Sequence, residues 1–263
     1  KWARKVFPGL GDAAAVERLW EEILRCSRAD GDAMAAWRAH NARLKERCRW
    51  LNSLSLRRLI YKSESTGTDF TVGLIDKMRF MGASEELAGT DISFNANIPS
   101  EEVFTTPMRG DAEGVVYATR PLSYRGVLIE DFYIRFSGGR AVEAHAGKNE
   151  DALHLMLSMD DGASMLGECA LVPFNSPIRE SGILFYNTLF DENASCHLAL
   201  GEGYSSCLEN AGSYTPDEAR ALGVNESMIH EDFMIGAADL CITGVTADGR
   251  TVPIFVNGDW ADA

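Results

Sequence analysis

The sequence predicts an α+β protein, a mostly antiparallel, strand-rich region with flanking helices that follows a helical pair. Three observations predict it. Helical spacing of apolar residues dominates as far as Leu51, whereas beyond Leu56 short apolar runs alternate with turn residues. Those runs are joined mostly by short turns, which favour antiparallel neighbours because a parallel pair needs a long crossover. The chain has 263 residues and is 46% apolar, enough to fill a substantial core.

Taken in order, Val16, Leu19, Trp20, Ile23 and Leu24 recur at three and four and predict a helix over 12–29 with Asp12 as its N-cap. A second helix over 32–51 carries Met34, Trp37, Leu44, Cys48 and Leu51 on its apolar stripe, with Arg38, Lys45, Glu46 and Arg49 facing outward; the two form a helical hairpin. Residues 57–62 and 69–74 flank the polar loop SESTGT as a β-hairpin. Further strands are expected over 114–119, 127–136, 170–174, 230–235, 240–245 and 252–256, with turns at 137–140 and 247–250. Helices are expected over 149–158 and 215–222; the latter opens with Thr215, Pro216, Asp217 and Glu218, an N-cap, a proline at N1 and an acidic first turn.

The balance of 25 Lys and Arg against 39 Asp and Glu gives a formal charge of -14, which repels phosphate backbones and anionic lipid heads. Neither nucleic acid nor a membrane is an expected partner. No apolar run reaches the roughly 18 residues of a spanning helix, and the first residues lack the apolar centre of a secretory signal. Six cysteines with no CxxC pair fit reduced thiols and a cytoplasmic location.

Several polar residues interrupt apolar runs. His230 and Asp232 stand two apart in a strand-like stretch, so both leave one face while Glu231 points away. That geometry delivers two ligands to one ion, although a half-buried strand whose His and Asp bond each other gives the same pattern. Glu168 precedes the apolar run 169–173, and Glu101 and Glu102 stand between Pro99 and Val103-Phe104. Carboxylates entering a core need a partner, which a metal or a salt bridge, such as Arg179 for Glu168, supplies equally well. The stretch 188–204, TLFDENASCHLALGEGY, gathers Asp191, Glu192, His197 and Tyr204 at a spacing that fits no regular element; a loop leading into a strand or helix would present them. Together these donors suggest a metal centre. His40, His145 and His154 lack such a setting, and no GxSxG elbow, GxGxxG or GxxxxGK[ST] loop occurs in a suitable context.

Four segments, NIPSEEVFTTP, LGECALVPFNSPI, GILFYNTLFDENASCHLALGEGY and HEDFMIG, closely resemble, in this order, the catalytic part of the M29 family of metallo-aminopeptidases, the aminopeptidase T, AmpS and PepS group. The likeness begins near Leu54. It implies a two-domain subunit in a homodimer, an active site facing an internal cavity, and two divalent ions as cofactors: zinc or cobalt, with manganese or magnesium as alternatives. Carried onto this sequence, it implies metal ligands at Glu102, Glu168, Glu192, His197, His230 and Asp232, with Glu168 bridging and Tyr204 as the phenol beside the metals. It also implies that residues 1–54 are the helical C-terminal remnant of an N-terminal domain and 55–263 the metallopeptidase catalytic domain. The start at Lys1 fits a fragment, since family members carry a further N-terminal segment. The turn Met81-Gly82-Ala83 departs from the Trp and Gly-Gly of the family.

The expected function is therefore a metal-dependent aminopeptidase that hydrolyses N-terminal residues from peptides with a free N-terminus, using water activated at a dinuclear centre. Glu101 is a candidate for amine recognition or general base, and Tyr204 for a hydrogen bond to the oxyanion. A metal-dependent amidase or dipeptidase with no need for a free N-terminus is the alternative enzyme. A noncatalytic binding module that retains the fold is the alternative outside catalysis.

Overall fold

A computed structural model describes residues 1–87 and 89–261; residue 88 and the last two residues of the expected 55–263 domain lie outside the described residues. The fold is α+β. Leu56–Ser63 and Thr68–Leu74 pair as the expected hairpin, in a register that sets Arg58 against Gly73 and Ser63 against Thr68. Among the described residues this hairpin lies inside a nine-stranded antiparallel sheet. Its neighbours run Arg140–Lys148, Val127–Ser137, Pro107–Tyr117, Thr68–Leu74, Leu56–Ser63, Cys241–Thr246, Thr251–Val256 and Asp259–Trp260, with Leu122–Tyr124 paired to Val127–Ser137.

A second antiparallel sheet holds, among the described residues, five strands in the order His230–Met234, His197–Gly201, Leu166–Leu171, Val103–Thr105 and Met81–Gly82. The two sheets share one core. Phe132 of the first meets Phe233 of the second with ring centroids 5.9 Å apart, and Leu59, Leu171 and Leu198 are buried in the same cluster. Every residue of Leu166–Leu171 and of His197–Gly201 is buried, so both faces of these strands are covered. A strand covered on both faces loses the alternation of apolar and polar residues, which is why His197–Gly201 has no strand signature in the sequence. For the same reason the strand expected from residue 170 starts at Leu166 and takes in Glu168, instead of following it.

The helices Ala33–Ser53 and Pro216–Leu222 open on side-chain caps. Pro216–Leu222 is closed at its start by a reciprocal capping box of Thr215 and Glu218. Ala33–Ser53 is capped by Asp32, which accepts from the Ala35 N–H at 3.0 Å, and it buries Leu44 and Leu51 in the main core. Asp12–Cys26 has Gly11 at its N-cap; the Asp12 carboxylate pairs with Arg4 instead. This helix buries Ala15, Leu19, Glu22 and Cys26, while Val16, Trp20 and Leu24 face outward. Its partners decide that choice, because it packs with Ala3, Ile178, Phe185 and Phe190 in a separate cluster and not along a hairpin seam with Ala33–Ser53. Among the described residues no helix is long and apolar enough to cross a membrane.

Candidate metal centre

The second sheet builds the floor of the site by register. Directly opposed residues of antiparallel strands share a face, and the face alternates along each strand. Ala199 opposes Glu168 on one side and Asp232 on the other, Ala170 opposes His197, and Gly201 opposes His230. One face therefore carries Glu168, His197, His230 and Asp232, separated by Ala170, Ala199 and Gly201, which are too small to fill the space above them. Glu102 stands one residue ahead of Val103–Thr105, in phase with Phe104, which opposes Ala170. The other face carries Val103, Cys169, Leu171, Leu198, Leu200 and Phe233, all in the core.

Backbone carbonyls aim both imidazoles. His197 Nδ1 lies 3.2 Å from the Ser195 carbonyl oxygen and His230 Nδ1 2.8 Å from that of Glu202. Each ring thus donates from Nδ1 to the backbone and turns Nε2 towards the carboxylates, the arrangement that orients metal-binding histidines. His197 Nε2 stands 3.2 Å from Glu102 Oε2 and 3.9 Å from Glu168 Oε1. His230 Nε2 stands 3.2 Å from Glu168 Oε2 and 3.4 Å from Asp232 Oδ1. The donors fall into two groups, Glu102 with Glu168 and His197, and Glu168 with His230 and Asp232, each with its ligand atoms within 4.8 Å of one another. Glu168 belongs to both.

Crowded, buried carboxylates bind protons tightly. Burial pushes Glu168 up to about 7, and burial together with Glu102 and Asp232 pushes Glu192 up to about 9. Burial alone would lower both histidines, but Glu102 and its neighbours raise His197 to about 10, and Asp232 and Glu168 raise His230 to about 11. Burial also opposes ionisation of Asp232, yet His230 and His197 together outweigh it and hold that carboxyl below its ordinary value. A pocket that gathers this much affinity for positive charge suits divalent cations, and its mixture of carboxylate oxygen and imidazole nitrogen is the donor set such ions take. The residues present fit two ions that share Glu168.

Of the other expected residues, Tyr204 and Glu192 join the centre. The Tyr204 hydroxyl is 3.1 Å from His230 Nε2 and its ring centroid 4.8 Å from the imidazole. Thr106 pins its backbone: the Tyr204 N–H donates to Thr106 Oγ1 at 2.8 Å and that hydroxyl donates to the Tyr204 carbonyl at 3.1 Å. Burial, then Glu168 and Asp232, push the phenol above its ordinary range, so it remains a proton donor. Glu192 belongs to neither donor group but lines the same cavity of about 1170 Å³ and interacts with Asp232. Glu101 does not join: both guanidinium amino groups of Arg28 grip its carboxylate, with Nη2 to Oε2 at 2.7 Å, and it is not among the residues lining the cavity. Asp191 closes its own loop, accepting from the Phe185 N–H at 2.8 Å and the Asn187 N–H at 3.0 Å. Arg179 lies over the Phe174 ring.

Asn193 carries no signal in the sequence beyond its place inside TLFDENASCH. Fully buried, it accepts from the Glu101 N–H at 2.6 Å and donates to the Leu189 carbonyl at 3.0 Å and to Glu192 Oε1 at 3.3 Å. It thereby ties the segment that carries Glu102 to the segment that carries Glu192.

The chain is similar to known proteins along nearly its whole length. The family described as thermophilic metalloprotease (M29) matches residues 1–260. Aminopeptidase 2 of Geobacillus stearothermophilus is 47% identical over 261 residues, covering 99% of this chain and 62% of that protein. Aminopeptidase T of Thermus thermophilus is 44% identical over 260 residues, covering 98% of this chain and 62% of that protein. A solved structure described as wild-type AmpT from Thermus thermophilus superposes with a TM-score of 0.89 at 42% identity, over 99% of this chain and 62% of that one. The chain thus spans 62% of the length of each of these relatives. Its sheet order, its paired donor groups and a family match across residues 1–260 lead to one assignment: the chain belongs to the M29 family of metalloproteases.

Proposed function

We propose that this protein is a metal-dependent aminopeptidase that hydrolyses N-terminal residues from peptides at a dinuclear centre. The observation that carries this reading is the position of Glu168 between two donor groups. Glu102 and His197 would hold one ion, His230 and Asp232 the other, and Glu168 both; zinc or cobalt suits this nitrogen and oxygen set better than manganese or magnesium. Such ions, when bound, supply Lewis acidity that polarises the scissile carbonyl and acidifies a water molecule.

The chain's own residues supply the rest. Tyr204, kept protonated, donates to the oxyanion as negative charge develops there. Glu192, which lines the cavity beside the donor groups, takes and returns the proton that moves during hydrolysis. The substrate's amino group faces the same carboxylates, which favour a positive charge or a lone pair shared with an ion. Glu101 serves as the partner of Arg28 in this reading, with no direct part in the chemistry.

The reading extends to a homodimer working in the cytoplasm. Six free cysteines support a reducing compartment. Leu87, Ile92 and Phe94, exposed at or next to the paired strands Glu85–Glu86 and Ser93–Phe94, offer an apolar face for a second copy.

The test compares an amino-acid amide with its N-acetyl form on the chain loaded with zinc or cobalt. Release of the amino acid from the free amine alone is expected. Cleavage of both would make the protein an amidase, and cleavage of neither, with metal bound, would overturn the catalytic reading.

A further inference from the structure

Three cations line the cavity wall beyond the metal donors. Ala42, Lys45, Cys48, Arg49 and Asn52 of the helix Ala33–Ser53 all reach the cavity, at the three- and four-residue spacing of one helical stripe, and Arg79 joins them from the loop before Met81–Gly82. Among the described residues, no ion pair engages Lys45, Arg49 or Arg79. Glu85 and Glu86 line the same wall without pairing to them. Arg49 Nε donates to the Lys45 carbonyl at 3.3 Å, which leaves the outer edge of its guanidinium free. The backbone of Arg79 is held on both sides, its N–H donating to the Cys207 carbonyl at 2.6 Å and its carbonyl accepting from Thr105 Oγ1 at 3.0 Å.

These cations sit at the Met81–Gly82 edge of the sheet; Glu102 precedes the next strand, and the shared donor Glu168 lies on the strand beyond that. The helix packs where Met81–Gly82 closes the sheet; a Cβ on Gly82 would come within 3.6 Å of Cys48 Sγ. From Leu166–Leu171 to Met81–Gly82 is two strand spacings, roughly 10 Å. An extended chain covers about 3.3 to 3.6 Å per residue, so that interval is spanned by about three residues. In a chain of net charge -14, a local group of cations facing a cavity attracts an anion that the rest of the surface repels.

We propose that Lys45, Arg49 and Arg79 form a subsite for the C-terminal carboxylate of short peptides, about tripeptides in length, whose amino end lies at the metal donors. The proposal rests on the aminopeptidase reading for the direction in which the peptide lies. Planar guanidinium groups match a carboxylate with paired hydrogen bonds, and an ammonium beside them adds charge. The three side chains are exposed, so the attraction is screened by salt.

The experiment uses the metal-loaded chain with two probes, Leu-Gly-Gly and its C-terminal amide, for turnover. Analogues of each, with the first peptide bond reduced to CH2–NH, serve for calorimetric binding. The free acid should bind about tenfold tighter than the amide at low salt, with the gap narrowing as salt rises. In an Arg49→Gln, Arg79→Gln double variant the gap should close to within about twofold, and Arg49→Glu should reverse the preference. Equal binding of acid and amide by the unaltered chain, or a gap that survives the double variant, would overturn the subsite. Failure to cleave either peptide with the binding gap intact would overturn the aminopeptidase reading alone.

Discussion

Glu168 Oε2 stands 3.2 Å from His230 Nε2, while the other oxygen of the same carboxylate faces His197 Nε2 at 3.9 Å. One side chain, opposite Ala199, therefore links two imidazoles on adjacent strands that lie four residues apart in register. Glu168→Gln keeps the shape and removes the shared charge, so it should cut bound metal from about two ions per chain to less than one. Asp232→Asn touches one donor group and should leave about one. Elemental analysis after dialysis reads both; two ions retained by Glu168→Gln would show that the groups do not share it.

Tyr204 touches His230 at 3.1 Å through its hydroxyl, and Thr106 holds its backbone. Tyr204→Phe should lower kcat by about 10²- to 10³-fold with metal content unchanged. Parallel loss of metal and turnover would make the phenol a ligand. Glu192→Gln should follow the same pattern as a proton carrier, whereas metal loss would place it in the coordination sphere.

Protonation of the metal-free centre gives stability a defined slope with pH. A group whose folded pKa is raised adds stability that is complete below its unfolded value and is lost as pH rises through its folded value. The windows run from 4.5 to about 7 for Glu168, from 4.5 to about 9 for Glu192, and from 6.5 to about 10 and about 11 for His197 and His230. In a chelator the chain should therefore melt at a lower temperature at pH 9 than at pH 6. Saturating zinc should flatten or invert that slope, because deprotonated ligands bind the ion, and zinc addition should release protons into weak buffer. A melting temperature that climbs from pH 6 to pH 9 in chelator would contradict this account.

Gly201 ends the strand that carries His197 with φ +98, and a Cβ there would come 2.1 Å from the Ile229 carbonyl oxygen. Backbone atoms on a paired strand cannot step aside cheaply. Gly201→Ala should cost about 3 kcal/mol in urea unfolding and weaken metal binding by displacing His230, its partner in register. A loss below about 0.5 kcal/mol would mean that the strand yields freely.

Arg28 and Glu101 form an ion pair whose carboxylate is 5% exposed. Arg28→Ala should destabilise the chain by roughly 2 to 3 kcal/mol, short of the full penalty for a buried charge because Arg28 is partly exposed. Removing both charges with Arg28→Leu and Glu101→Leu together should recover most of that loss. Turnover that collapses in the double variant while its stability and metal content hold would return Glu101 to the chemistry.

Much of the fold was legible because its signals are local. The hairpin 57–74, the turn at 137–140 and the helix start at Thr215 depend on turn and capping residues that act within a few positions of themselves. The period of two that places His230 and Asp232 on one face is equally local, and the structure keeps it. The segments NIPSEEVFTTP and TLFDENASCH added the family, and with it the set of donors to look for.

By itself, then, the sequence determined the α+β texture, most of its hairpins and the kinds of side chain available to a cation. The tertiary structure decided which of them meet. Glu101 and Glu102 are adjacent and chemically alike, yet strand register sends one to Arg28, 73 positions away, and the other to His197. Val16, Trp20 and Leu24 carry the stronger apolar signal, but the cluster around Phe185 and Phe190 covers Ala15, Leu19 and Cys26. Both outcomes depend on contacts between segments far apart in the chain, where burial and pairing outweigh any preference that neighbouring residues express alone.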